Sequence, residues 1–140
     1  MSKVAVVYWS GTGNTQAMAE EVLTGAKGSG ADASIFTAEE FTADMVDDYD
    51  AIAFGCPSMG AEELEDTEFE PMFSSCKDKL KAKKIALFGS YGWGDGEWMR
   101  NWEESCKEAG AELVCESVIC NESPDEDAKE SCRNLGKAIC

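Results

Sequence analysis

Six consecutive residues, Ser10-Gly11-Thr12-Gly13-Asn14-Thr15, carry the chemistry most easily read from this chain. They follow the apolar run Val4–Trp9 and open a helical pattern. Main-chain N–H groups at a helix start lack intrahelical acceptors, and the helix dipole favours negative charge there. Gly11 and Gly13 let the backbone close around an anion, while Ser10, Thr12, Asn14 and Thr15 offer neutral hydrogen-bond donors. No lysine or arginine lies in or beside the loop. Such a site suits a phosphate monoester held as a handle. It does not suit phosphoryl transfer, which uses cations to neutralise developing charge.

Two further segments share this unusual composition. Pro57-Ser58-Met59-Gly60-Ala61-Glu62 sets a methionine beside a glycine, and Ser90-Tyr91-Gly92-Trp93-Gly94-Asp95-Gly96 sets a tryptophan among glycines. With no bulky neighbour over its ring, Trp93 is expected to stack on something flat. A planar ligand between Met59 and Trp93 accounts for both side chains, each contact contributing on the order of 1 kcal/mol. The contrary reading folds Trp93 back onto the protein. Trp9, Trp98 and Trp102 fall on strand or helix stripes and are expected in the core, as are Met18 and Met72.

These segments need elements to hold them. Strand-like runs are expected at Val4–Trp9, Ala33–Thr37, Ala51–Cys56, Lys84–Ser90 and Ala111–Cys120, several of them continuously apolar, as in a parallel sheet covered on both faces. Helical stripes alternate with them: Met18, Val22, Ala26; Phe69, Phe73, Cys76, Leu80; Trp98, Trp102, Cys106; and Ala128, Cys132, Leu135, Ile139. Gly28 and Gly30 punctuate the end of the first helix, and Gly110 precedes the fifth strand. Ser123-Pro124-Asp125 starts the last helix. The segment from Thr42 to Tyr49 is the poorest helix, of a turn or two. Strand and helix alternating five times predicts a single three-layer α/β domain over residues 1–140, a doubly wound sandwich with a five-stranded parallel sheet. Ligands of such sheets bind beyond the carboxyl ends of the strands, where all three segments fall.

Composition narrows the function. The chain has 140 residues, 28 acidic against 12 basic, no histidine and a formal charge of −16. Nucleic acid and anionic membranes repel such a surface, whereas a basic patch on a protein attracts it. No apolar run approaches the roughly 18 residues that span a bilayer, and no signal-peptide pattern is seen, so a cytoplasmic location is expected. Seven cysteines, at 56, 76, 106, 115, 120, 132 and 140, include no CxxC pair. They read as free, mostly buried thiols in a reducing cell, with an anaerobic source in keeping, rather than as zinc or iron–sulfur ligands. A receiver domain is excluded because Trp9-Ser10 and Cys56-Pro57 stand where acids are required. A P-loop lacks its lysine, and Gln16 replaces the third glycine of a dinucleotide fingerprint.

Taken in order and at these spacings, the three segments resemble those of flavodoxins, most closely the short-chain, low-potential flavodoxins of anaerobic bacteria. The likeness covers the whole chain, including Trp98-Met99-Arg100 and Asn121-Glu122, and the fifth strand leaves no room for the insertion of long-chain members. The resemblance implies strand order 2-1-3-4-5 and a tightly held, non-covalent FMN. It implies that Ser10, Gly11, Thr12, Gly13, Asn14 and Thr15 hold the phosphate. Pro57, Ser58, Met59, Gly60, Ala61 and Glu62, with Ser90, Tyr91, Gly92, Trp93, Gly94, Asp95 and Trp98, would surround the ring. Glu62 would accept from flavin N3–H, and Asn121 would lie near the ring. Ala61 replaces a polar residue of some relatives.

The implied function is one-electron shuttling between redox proteins, with FMN cycling mainly between semiquinone and hydroquinone. Partners would be reductases, ferredoxin-dependent oxidoreductases or hydrogenases, docking a monomer transiently through basic patches. No general base or nucleophile is visible, so no substrate-converting activity is expected. The alternative is an NAD(P)H-dependent flavin or quinone reductase, for which the chain has no spare segment. Two tuning devices are expected. The Met59–Gly60 peptide can turn its carbonyl toward flavin N5, because Gly60 takes positive φ at little cost. Acids at Glu62, Glu63, Glu65, Asp66 and Asp95 would oppose an anionic reduced flavin. One carboxylate about 12 Å away, at an effective dielectric of about 40, contributes about 0.7 kcal/mol, or about 30 mV. The lysines from Lys77 to Lys84 are expected on the distant side.

Overall fold

The computed structural model describes residues 2–60, 63–92 and 94–140. Strands β1 (Lys3–Tyr8), β2 (Asp32–Thr37), β3 (Ala51–Gly55) and β4 (Lys84–Tyr91) alternate with helices α1 (Asn14–Gly28), α2 (Phe69–Cys76) and α3 (Glu97–Glu108). Short strands β5 (Glu112–Leu113) and β6 (Val118–Asn121) and helix α4 (Glu126–Ala138) complete the chain. All strand pairings are parallel, in the order β2-β1-β3-β4-β5, with β6 also on β4.

The apolar run of β1 feeds two cores. Ala5 and Val7 face one side of the sheet and Val4 and Val6 the other, all four without solvent contact. On the Val4 side lie α1 and α4, and Met18, Val22, Ala26, Cys132, Leu135 and Ile139 are buried as their spacing predicts, with Ala128 half-buried. The two helices approach closely because Gly25 and Gly136 face them: a Cβ on either would run into the Arg133 or Val22 carbonyl. On the Ala5 side, α2 and α3 bring an aromatic cluster onto Phe54. Phe54–Phe73 is edge-on at 5.2 Å and Phe69–Trp102 at 5.4 Å, geometries contributing about 0.5–1.5 kcal/mol per pair beyond area burial. Trp102, Met18 and Met72 are core residues, as expected, and Met99 joins them.

The weak segment after Thr42 forms a 3-10 helix, Ala43–Asp48, burying only Val46. The fifth strand differs from the expectation of one run over Ala111–Cys120. It is broken between Leu113 and Val118. Ile85 pairs with Leu113 and Phe88 with Val118, so five steps along this line face three along β4. Two surplus residues bulge out, with Ser117 Oγ donating to Glu103 Oε2 at 2.7 Å.

Lys84 begins β4, so the lysine-rich segment sits at the end of the sheet opposite the three loops, where Lys83 Nζ donates to the Tyr49 carbonyl at 2.7 Å. Among the described residues, no helix is long and apolar enough to cross a membrane.

Candidate functional site

The sheet order reverses at β1: β2 lies on one side and β3 on the other. Chain segments leaving the carboxyl ends of β1, β3 and β4 therefore meet over one crevice. A cavity of ≈ 530 Å³ opens there, lined by Gly11, Thr12 and Asn14 of the first segment, Pro57, Ser58 and Met59 of the second, and Ser90, Tyr91 and Gly92 of the third. Its volume suits a small organic ligand.

The first segment commits only part of its donors to the protein itself. Gly13 takes a left-handed φ of 96° and stands at the N-cap of α1, where a glycine has no capping side chain. Among the described residues no side chain caps this helix, and no acid lies in its first turn. Ser10 Oγ accepts from Gly13 N at 3.0 Å, which closes the loop. Gly11, Thr12 and Gly13 are exposed, and the N–H groups of the first turn face the crevice side of the fold. Thr15 turns inward instead: its hydroxyl pairs with that of Ser90 at 3.1 Å and is buried, which ties the first segment to the third.

The second segment is pinned at both ends. Ser58 N donates to the Ser90 carbonyl at 3.0 Å, and Met59 and Glu63 exchange main-chain hydrogen bonds at 2.8 and 2.9 Å. Gly60 lies between them at φ 52°, a conformation that a side chain would strain. Met59 is 38% exposed, one of two large apolar side chains so placed among the described residues. Below the loop, Cys56 Sγ accepts from Glu65 N at 3.4 Å, and burial pushes the Cys56 thiol well above its usual range. Ala61 and Glu62 lie outside the described residues.

In the third segment, Gly92 and Gly94 flank position 93, and the expectation for Trp93 lies outside the described residues. Asp95 is exposed and pairs with Arg100 at 3.0 Å. Trp98 lies below the cavity rather than on its wall: it is 1% exposed, and its Nε1 donates to the Cys56 carbonyl at 3.2 Å. Asn121 Nδ2 donates to the Tyr91 carbonyl at 3.3 Å, which ties the last loop to the third segment.

Three wall residues escaped the sequence reading: Trp9, Glu122 and Ser123. Trp9 packs against the core as expected, but it is only half-buried and also faces the cavity. Glu122 adopts φ 59°, unusual for a residue with a side chain, and no sequence signal announces it. Glu65 requires a correction. Counted among the rim acids, it is 5% exposed and caps α2. Its Oε1 accepts from Glu68 N at 2.7 Å and Phe69 N at 2.9 Å, and Oε2 accepts from Thr67 N and the Thr67 hydroxyl. Burial works to raise its pKa, and these donors outweigh it, leaving the carboxyl below its usual value. Glu63, Asp66, Asp95 and Glu122 are exposed; Glu122 lines the cavity, and Glu63 and Asp66 line the neighbouring groove beside Trp98 and Trp102.

Fold and crevice together define an α/β domain that binds a mononucleotide: uncapped main-chain donors at one end, no cation among the described wall residues, and a thioether and aromatic side chains at the other. The flavodoxin family profile matches residues 6–136. Flavodoxin of Megasphaera elsdenii is 49% identical over 135 residues, covering 96% of both chains, and that of Clostridium beijerinckii 44% identical over 134 residues with the same coverage. The solution structure of two-electron reduced Megasphaera elsdenii flavodoxin superimposes with a TM-score of 0.90 over 97% of each chain. The chain belongs to the flavodoxin family. It is an FMN-binding electron carrier, similar to the short-chain flavodoxins of anaerobes.

Proposed function

We propose that this chain is a low-potential, one-electron shuttle of the cytoplasm, a single FMN-binding domain over residues 1–140 that converts no substrate of its own. The observation that carries the reading is the first turn of α1, left without a side-chain cap among the described residues at the edge of a cavity walled by Met59 and Tyr91.

Bound FMN supplies the one-electron redox chemistry. The chain's residues hold it and set its surroundings. Ser10, Thr12, Asn14 and the amides of α1 receive the phosphate through neutral donors, so the negative charge is neutralised by no side chain. The Thr15 and Ser90 hydroxyls hold that loop against β4, and the Thr15 amide would join the others at the phosphate. Met59 and Trp93 would cover the ring faces, and Glu62 would accept from the ring N3–H. Gly60 would let the Met59 carbonyl leave its bond with Glu63 N–H and turn toward N5. Glu63, Asp66, Asp95 and Glu122 build a negative field at the ring end that disfavours the second electron. They also favour brief, salt-sensitive docking with basic patches on reductases, ferredoxin-dependent oxidoreductases or hydrogenases.

A redox titration of the FMN-loaded protein tests this. Two well-separated one-electron couples are expected, the lower well below that of free FMN and rising as Glu63, Asp66 and Asp95 are neutralised together. A single two-electron step, or rapid bleaching by NADPH with no reductase present, would overturn the reading.

A further inference from the structure

Trp9 stands at the junction of β1 and the loop of residues 10–15. Its Nε1 donates to Glu68 Oε1 at 2.9 Å, a bond between residues far apart in sequence. Gly11 lies against the indole so closely that a Cβ there would stand 3.0 Å from Trp9 Cη2. The same ring lines the cavity that the three loops enclose. Glu68 is itself held in place. Its main-chain N–H rests on Glu65 Oε1 at 2.7 Å, and the Glu65 N–H rests on Cys56 Sγ at the end of β3. Glu39, from the turn after β2, is the other acid beside the Glu68 carboxylate.

We propose that Glu68 is a positioning residue for cofactor binding: its carboxylate fixes the Trp9 indole, and the indole supports Gly11 and with it the phosphate loop. The span from Glu65 to Glu68 then links the loop that pins Met59 to the loop at the opposite end of the slot. An indole freed from Glu68 can rotate, and Gly11 loses the surface on which it rests. The main-chain donors of the loop then spread over more orientations, and a phosphate must order them on binding. The inference rests on the reading that residues 10–15 hold the phosphate of FMN.

The test compares dissociation constants of FMN and of riboflavin, which lacks the phosphate, for the apoprotein and its variants. E68A and E68Q lose the same charge, but the glutamine carbonyl can still accept from Trp9 Nε1. FMN binding is expected to weaken about five- to tenfold in E68A relative to E68Q, and riboflavin binding by less than about twofold. W9F, which keeps the carboxylate and removes the donor, should show the same selective loss. The double variant W9F/E68A should lose little more than either alone. Equal FMN binding by E68A and E68Q, or equal losses for FMN and riboflavin, would overturn the proposal. If E68A does not fold, W9F decides: no selective loss of FMN overturns it. A parent protein that binds FMN and riboflavin equally would refute the phosphate loop itself, whereas a discriminating parent with silent variants refutes only the role of Glu68.

Discussion

Helices α1 and α4 pack side by side on the same face of the sheet, yet they begin in opposite ways. The start of α4 is complete: Asp125 accepts from Ala128 N at 2.8 Å, and Glu126 and Asp127 stand in the first turn against the positive end of the dipole. Helix α1 begins on a glycine in left-handed conformation, with neither a side-chain cap among the described residues nor an acid in its first turn. Across the sheet, α2 resembles α4, since the Glu65 carboxylate gathers its donors. Helix α3 also begins on a glycine, Gly96, but carries Glu97 in its first turn. A protein that supplies carboxylates to the starts of α2 and α4 and withholds them from α1 has left that end to an outside anion. On the proposed reading, the contrast separates stability from binding: caps hold the fold, and the uncapped start of α1 is where the cofactor phosphate would bind.

Supplying α1 with the charge it lacks should have the largest effect. Thr12→Asp sets a carboxylate beside the phosphate and should weaken FMN by about 30- to 100-fold, a repulsion of about 2–3 kcal/mol. The melting temperature of the apoprotein should hardly change. Removing the charge that α2 uses should do the reverse. Glu65→Gln leaves buried donors poorly matched and should cost about 2 kcal/mol of stability in denaturant titration. The pH dependence has a definite sign. The folded-state pKa of Glu65 is lowered, so its contribution is fully present above the ordinary carboxyl pKa and is lost as pH falls through the lower folded value. The acid limb of the stability profile should flatten in Glu65→Gln.

Asp125→Ala should cost about 1 kcal/mol, the usual worth of an N-cap, with FMN affinity within about twofold of the parent. A large loss of FMN in that variant would erase the distinction between the two helix starts. The smallest effect is expected at Gly60, where alanine raises the cost of the left-handed conformation by about 1 kcal/mol. The separation between the two one-electron potentials of bound FMN should narrow by on the order of 40 mV.

Much of this was legible in the residues. Loops rich in glycine and hydroxyls at strand ends have few uses other than binding, and the alternation of strand and helix places them at one edge of a parallel sheet. The burial of Met18, Phe73, Trp102 and Cys132 follows from helical spacing alone. What stayed hidden depends on contacts between distant positions. Glu65 stands in a run with Glu62, Glu63 and Asp66 and is indistinguishable from them until the backbone of α2 turns back onto it. Trp9 ends an apolar run and reads as core, because nothing local reveals that Glu68 draws its N–H aside and leaves the ring on the cavity wall. The break between β5 and β6 falls at Val114-Cys115-Glu116-Ser117, inside a run whose alternating apolar residues read as one strand, and only the register against β4 exposes the surplus pair.

The central claim is that the first turn of α1 is reserved for the cofactor phosphate, and amide NMR of the apoprotein titrated with FMN tests it most directly. The N–H signals of Asn14, Thr15 and Gln16 should shift downfield and gain protection from solvent exchange, while those of Asp127 and Ala128 stay where they are. Signals of α1 that remain unmoved at saturating FMN would contradict the account.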